Sequence, residues 1–102
     1  MTKRYGKKDD NQDRIVSALR SSGCTVTTLA SVGGGCPDLL VGRGGECGKG
    51  GTNYLLEIKD GSKPPSKRKL TPDQVTWHSE RRGQVAIFKK TEEALKAVGA
   101  IK

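Results

Sequence analysis

Apolar residues fall along this chain in short clusters whose spacing switches between helical and alternating. Ile15, Val16 and Leu19 are three and four positions apart, so the segment from about Asn11 to Ser21 predicts a helix with one apolar face, ending near Gly23. Cys24 to Leu29 alternates weakly and is β-branched, which predicts a strand. Ser31 to Gly35 is a glycine turn. Asp38 to Val41 and Asn53 to Lys59 are two further apolar strands, joined by a glycine-rich polar connection. Gly61 to Leu70 holds two prolines and four basic residues and reads as a loop. Thr71 is placed to cap a second helix, with Pro72 at its first position and Gln74 completing a capping box. That helix ends around Arg82-Gly83. Gln84 to Phe88 predicts a short strand, and Thr91 a cap for a last helix whose Glu92 and Glu93 suit its positive end. The order α-β-β-β-α-β-α indicates an α/β domain, a mixed sheet flanked by helices. The sequence predicts one domain over residues 11–102 behind a basic, flexible arm, residues 1–10.

Two strands carry charge where an apolar strand should not. Side chains alternate faces along a strand, so Glu57 and Lys59 point one way and Leu56 and Ile58 the other. A hairpin centred on the connection pairs residues whose numbers sum to 95, which sets Asp38 opposite Glu57. Like charges directly opposed destabilise a sheet. A divalent cation held by carboxylate oxygens, with Lys59 as a second positive group, resolves the conflict. An interstrand ion pair of Lys59 with either carboxylate is the plainer alternative.

Composition narrows the partners. The chain has 102 residues and a net charge of +8, which suits a small domain with a polyanionic partner, nucleic acid before acidic membrane. Interleaved aromatics are absent, which argues against an RNA-binding surface. The three cysteines, Cys24, Cys36 and Cys47, are widely spaced and form no CxxC pair, and His78 is the sole histidine. A structural zinc site and a disulfide framework are therefore not expected, and a reducing, cytoplasmic setting fits. No signal peptide is legible, and no apolar run reaches membrane-spanning length. Gly33 to Gly35 lacks the lysine-serine pair of a P-loop.

The residues Pro37-Asp38 and Glu57-Ile58-Lys59 resemble the PD-(D/E)xK nucleases. The closer resemblance is to the virus-type replication-repair nuclease (VRR-NUC) family, in its stand-alone phage or bacterial type. It rests on Gly34 to Gly42, on Leu56 to Gly61, on Leu70-Thr71-Pro72-Asp73-Gln74 and on Trp77-His78, and it runs from about Asn11 to Phe88. The resemblance implies a restriction-endonuclease-like core and a Mg²⁺- or Mn²⁺-dependent DNA endonuclease. It implies that Asp38, Glu57 and the backbone carbonyl of Ile58 hold the metal. Lys59 then orients the water or stabilises the phosphate charge. Gln74 either caps its helix or reaches the active site. The family's first-helix acid corresponds to Gln12, which shares the helix direction of Val16 and Leu19. It is an amide here. Family members of this type look like Holliday junction resolvases, so the resemblance implies a homodimer acting on branched DNA. Lys63, Lys67, Arg68 and Lys69, with Lys7 and Lys8 of the arm, are the candidate phosphate contacts. Trp77 is expected to pack on the sheet rather than stack on a base, and His78 to be a surface or capping group rather than a general base. The competing reading is a non-catalytic DNA-binding module that retains the nuclease fold, and the Gln12 departure supports it.

Overall fold

Helix α1 (Gln12–Ser21) stops where its sequence demands. Gly23 has φ +91°, a conformation open mainly to glycine. Its N–H donates to the Arg20 carbonyl at 3.0 Å, while the Cys24 N–H donates to the Leu19 carbonyl at 3.0 Å. This pair of bonds is a Schellman closure, which satisfies the last helical carbonyls. The computed structural model describes residues 11–45 and 50–100. The arm with Lys7 and Lys8, and Cys47, lie outside the described residues.

Strands β1 (Thr25–Thr28), β2 (Leu39–Gly44), β3 (Gly51–Ile58) and β4 (Ala86–Phe88) form one sheet in that order. The first three are antiparallel, and β4 runs parallel to β3. Between β3 and β4 lies helix α2 (Pro72–Glu80), and helix α3 (Thr91–Ala97) follows β4. The protein is thus a small α/β domain with a mixed four-stranded sheet flanked by helices. The β2–β3 ladder pairs Leu39 with Leu56 and Leu40 with Leu55, the register expected from the sequence.

One face of the sheet is the core. Leu39, Val41, Leu56 and Ile58 are buried there against Ile15, Val16 and Leu19 of α1 and Ala94 and Val98 of α3. Burying such a side chain contributes about 1.5–3 kcal/mol each. Helix α2 buries no residue and meets the opposite face through Gln74 and His78. Gly35, at φ +86°, passes against the start of α2, where a Cβ would fall on the Asp73 carbonyl. Among the described residues no helix is long and apolar enough to cross a membrane.

Three local expectations need correction. Thr91 does not cap α3: it is the first helical residue, Lys90 holds the cap position, and Glu93 Oε1 accepts the Lys89 N–H at 2.9 Å instead. The fourth strand begins at Ala86 rather than Gln84, because the Gln84 side chain does the pairing: Oε1 accepts from Leu55 N–H at 2.7 Å and Nε2 donates to the Leu55 carbonyl at 3.0 Å. Trp77 stands outside the core. It is half-buried, with the Arg81 guanidinium 5.3 Å from its ring centre, because α2 turns Gln74 and His78 inward.

Candidate active site

The C-terminal half of β3 is buried on both faces, unlike its exposed start. Leu56 and Ile58 enter the core, which forces Glu57 and Lys59 to the other side by strand alternation. Glu57 is 1 % exposed and Lys59 8 %. Asp38 sits in the bend just before β2. Its N–H donates to the Leu56 carbonyl at 3.1 Å, and its Oδ2 accepts the Ile58 N–H at 2.7 Å. Continuing the ladder by one step places Asp38 across from Glu57, as expected.

A buried charge is costly unless partnered, and α2 supplies partners. Gln74 Nε2 donates to Glu57 Oε2 at 3.1 Å, and Lys59 Nζ donates to Gln74 Oε1 at 3.0 Å. The ammonium is also 3.9 Å from Glu57 Oε2. The same Gln74 completes the capping box: its Oε1 accepts the Thr71 N–H at 2.9 Å, and its own N–H donates to Thr71 Oγ1 at 3.2 Å. The two readings of Gln74 therefore hold together. The cap fixes the helix start, and that fixed start aims the amide at the two charges.

These groups line a cavity of about 440 Å³ with Gln12, Lys67, Lys69 and the Gly33–Gly35 turn. Gln12 is 3 % exposed and faces the cleft, while Asp13 is exposed on another side of the helix. Among the described residues, no three His, Cys, Asp or Glu side chains gather as a metal-holding group. The cleft is lined by the carboxylates of Asp38, Glu57 and Asp73, the amides of Gln12 and Gln74, the Cys36 thiol and the peptide of Ile58; of these, Asp38, Glu57, Gln12 and Ile58 are the donors expected from the sequence. These four offer hard oxygens. Mg²⁺ commonly takes one or two carboxylates and keeps several waters, so the set fits an ion of that class.

The loop lysines divide. Lys67 and Lys69 line the cleft. Arg68 turns its Nε back onto the Lys63 carbonyl at 2.7 Å, and Lys63 is half-buried. Asp60 closes the turn after β3 by accepting from the Ser62 N–H and hydroxyl at 2.9 and 2.7 Å, and these bonds lower its pKa.

Three further residues meet the site without a clear signal in the sequence. Asn11 holds the cap position of α1 but does not cap. Its Nδ2 donates to the carbonyls of Lys59 at 3.2 Å and Lys89 at 3.1 Å, tying the start of α1 to the ends of β3 and β4. Cys36 lines the cleft as a thiol, its pKa pushed up by burial and then by the charges of Glu57 and Asp38. His78 is not a surface group. Its side chain is 14 % exposed, and Nε2 lies 3.9 Å from Glu57 Oε1. Burial, and then the Lys59 ammonium, lower its pKa. The four-residue step from Gln74 to His78 was the available clue, since residues so spaced share a helix face.

No protein-family model, curated protein or solved structure matches this chain. The family resemblance rests on the motif residues alone.

Proposed function

We propose that the chain is a divalent-metal-dependent DNA endonuclease of the PD-(D/E)xK type, allied to the VRR-NUC family. It hydrolyses phosphodiester bonds in branched DNA as a homodimer, in the manner of a Holliday junction resolvase. The observation that carries this reading is the meeting of Asp38, Glu57 and Lys59 in one cleft, on the sheet face opposite the core. Asp38, Glu57 and the Ile58 carbonyl would hold Mg²⁺ or Mn²⁺, with the Gln12 amide as a neutral fourth donor. When bound, such an ion supplies a water of lowered pKa and positive charge at the phosphate.

The chain's own residues do the remaining work. The Ile58 N–H fixes the Asp38 carboxylate. Gln74 fixes Glu57 and Lys59 relative to one another. The Lys59 ammonium orients the attacking water or offsets negative charge that grows on the phosphate, a contact that strengthens in the transition state. Lys67 and Lys69 attract the phosphate backbone without reading sequence. A two-fold dimer presents two such sites, which suits a substrate with paired strands to cut.

The second reading is a DNA-binding module that does not cut. An amide at Gln12, in place of an acid, favours it, since the ion would meet only two charged ligands. A panel of four-way, flap and duplex DNAs, incubated with Mg²⁺, Mn²⁺ or EDTA, separates the two. Ion-dependent cleavage of branched DNA is expected. Binding without cleavage in either metal would leave the non-catalytic module, and cleavage in EDTA would remove the ion from the mechanism.

A further inference from the structure

Helix α2 brings a second residue to Glu57. Gln74 grips Oε2 from one turn of the helix. From the next turn His78 Nε2 stands 3.9 Å from Oε1. That nitrogen is shut off from solvent and has no hydrogen-bond partner among the described residues. Buried polar atoms are nearly always partnered, so an unpartnered one beside a carboxylate calls for an explanation. The ring is also held in place. Trp77 meets it edge-on at 6.2 Å between centres, and Arg81 covers the Trp77 ring. His78 does not line the cleft, whereas Glu57, Asp38 and Gln12 do. The imidazole therefore stands behind Glu57.

We propose that His78 is a positioning residue for Glu57: as the Nε2–H tautomer it steadies Oε1 while Gln74 holds Oε2, so that the carboxylate faces Asp38. A ring lone pair turned toward a carboxylate oxygen repels it, whereas an N–H attracts it. Gln74 addresses Oε2, and an N–H from His78 directed at Oε1 adds a restraint on the other oxygen. This inference rests on the reading of Asp38 and Glu57 as ion ligands. Residues that steady such ligands typically alter metal affinity by about 10–100-fold.

The test is calorimetric titration of Mn²⁺, without DNA, into the wild type, His78→Phe and His78→Gln, with thermal unfolding of each in EDTA. Phenylalanine keeps a ring and removes the N–H, while glutamine returns an N–H. His78→Phe should weaken Mn²⁺ binding about 10–100-fold. His78→Gln should recover most of that loss, and unfolding in EDTA should shift little. Mn²⁺ binding by His78→Phe equal to the wild type, or no recovery with His78→Gln, overturns the role of His78 and leaves the nuclease reading intact. A wild type that takes up no Mn²⁺ removes both. Nitrogen NMR of the wild-type imidazole is independent of any variant's folding: the Nε2–H form supports the proposal, and the Nδ1–H form overturns it.

Discussion

The two faces of β3 at its C-terminal end share one backbone and obey opposite rules. Leu56 and Ile58 point into the core, where each buried methylene contributes to stability. Glu57 and Lys59, one residue out of step, are equally shut away on the other face, where burial of charge opposes folding. The second face is tolerable because Gln74 bridges the two charges. A hydrophobic pair in their place would be neutral or better for stability. Stability therefore accounts for the first face and leaves the second unexplained, which is the physical reason to assign chemistry to Glu57 and Lys59.

The sharpest way to break this comparison is to change each face separately. Glu57→Gln keeps an oxygen for the Gln74 amide and removes the charge. We expect it to abolish cleavage while DNA binding and unfolding temperature stay close to wild type, as judged by turnover on junction DNA and by calorimetric scanning. Asp38→Asn should behave alike, since its amide oxygen still accepts the Ile58 N–H. Leu56→Ala should do the reverse. It costs about 2–5 kcal/mol in urea unfolding, with activity falling only as folded protein is lost. A Glu57→Gln protein as unstable as Leu56→Ala would show that the charged face is structural after all.

How far the sequence revealed these faces depends on range. The β2–β3 register was legible because alternation and the centre of the connection fix it. Gln12 was legible from helical spacing once the resemblance pointed to the first helix; for Gln74 the four-residue capping box revealed the cap, and only the resemblance its place in the cleft. His78 was not, because its burial follows from where α2 settles on the sheet. Nor was Asn11, whose two carbonyl partners lie 48 and 78 residues away. A local reading assigns it to its own helix as a cap. The resemblance to the PD-(D/E)xK motif indicated which residues would meet, but not that two residues of one helix, Gln74 and His78, would approach the two oxygens of Glu57.

Gln12→Glu sharpens the comparison by adding a charge to the cleft. Hard divalent ions favour charged oxygen ligands, so Mg²⁺ affinity should rise about tenfold, roughly 1.4 kcal/mol. Cleavage at limiting Mg²⁺ should rise with it. Without the ion the new carboxylate joins Asp38 and Glu57 in one cleft, so the apoprotein should unfold at a lower temperature, and Mg²⁺ should reverse the loss. Titration calorimetry paired with thermal unfolding, with and without Mg²⁺, checks both signs. Unchanged affinity would take Gln12 out of the ligand set.

The smallest effect expected is also the most discriminating among the basic residues. The four cations of the loop are interchangeable in composition, but around the short turn at Pro65–Lys67 they have different surroundings. Lys67 and Lys69 reach the cleft, while Arg68 closes the loop onto the Lys63 carbonyl. Each lost phosphate contact lowers the log–log salt slope of duplex binding by roughly 0.9. Replacing Lys67 and Lys69 together by alanine should therefore lower the slope by roughly 1.8 and weaken binding to all sequences alike. Replacing Lys63 and Arg68 should leave the slope nearly unchanged and act on loop stability instead. DNA affinity measured across a salt series for both double variants decides the matter. Equal losses of slope would show that all four touch phosphate, and that the cleft extends around the loop rather than ending at Lys69.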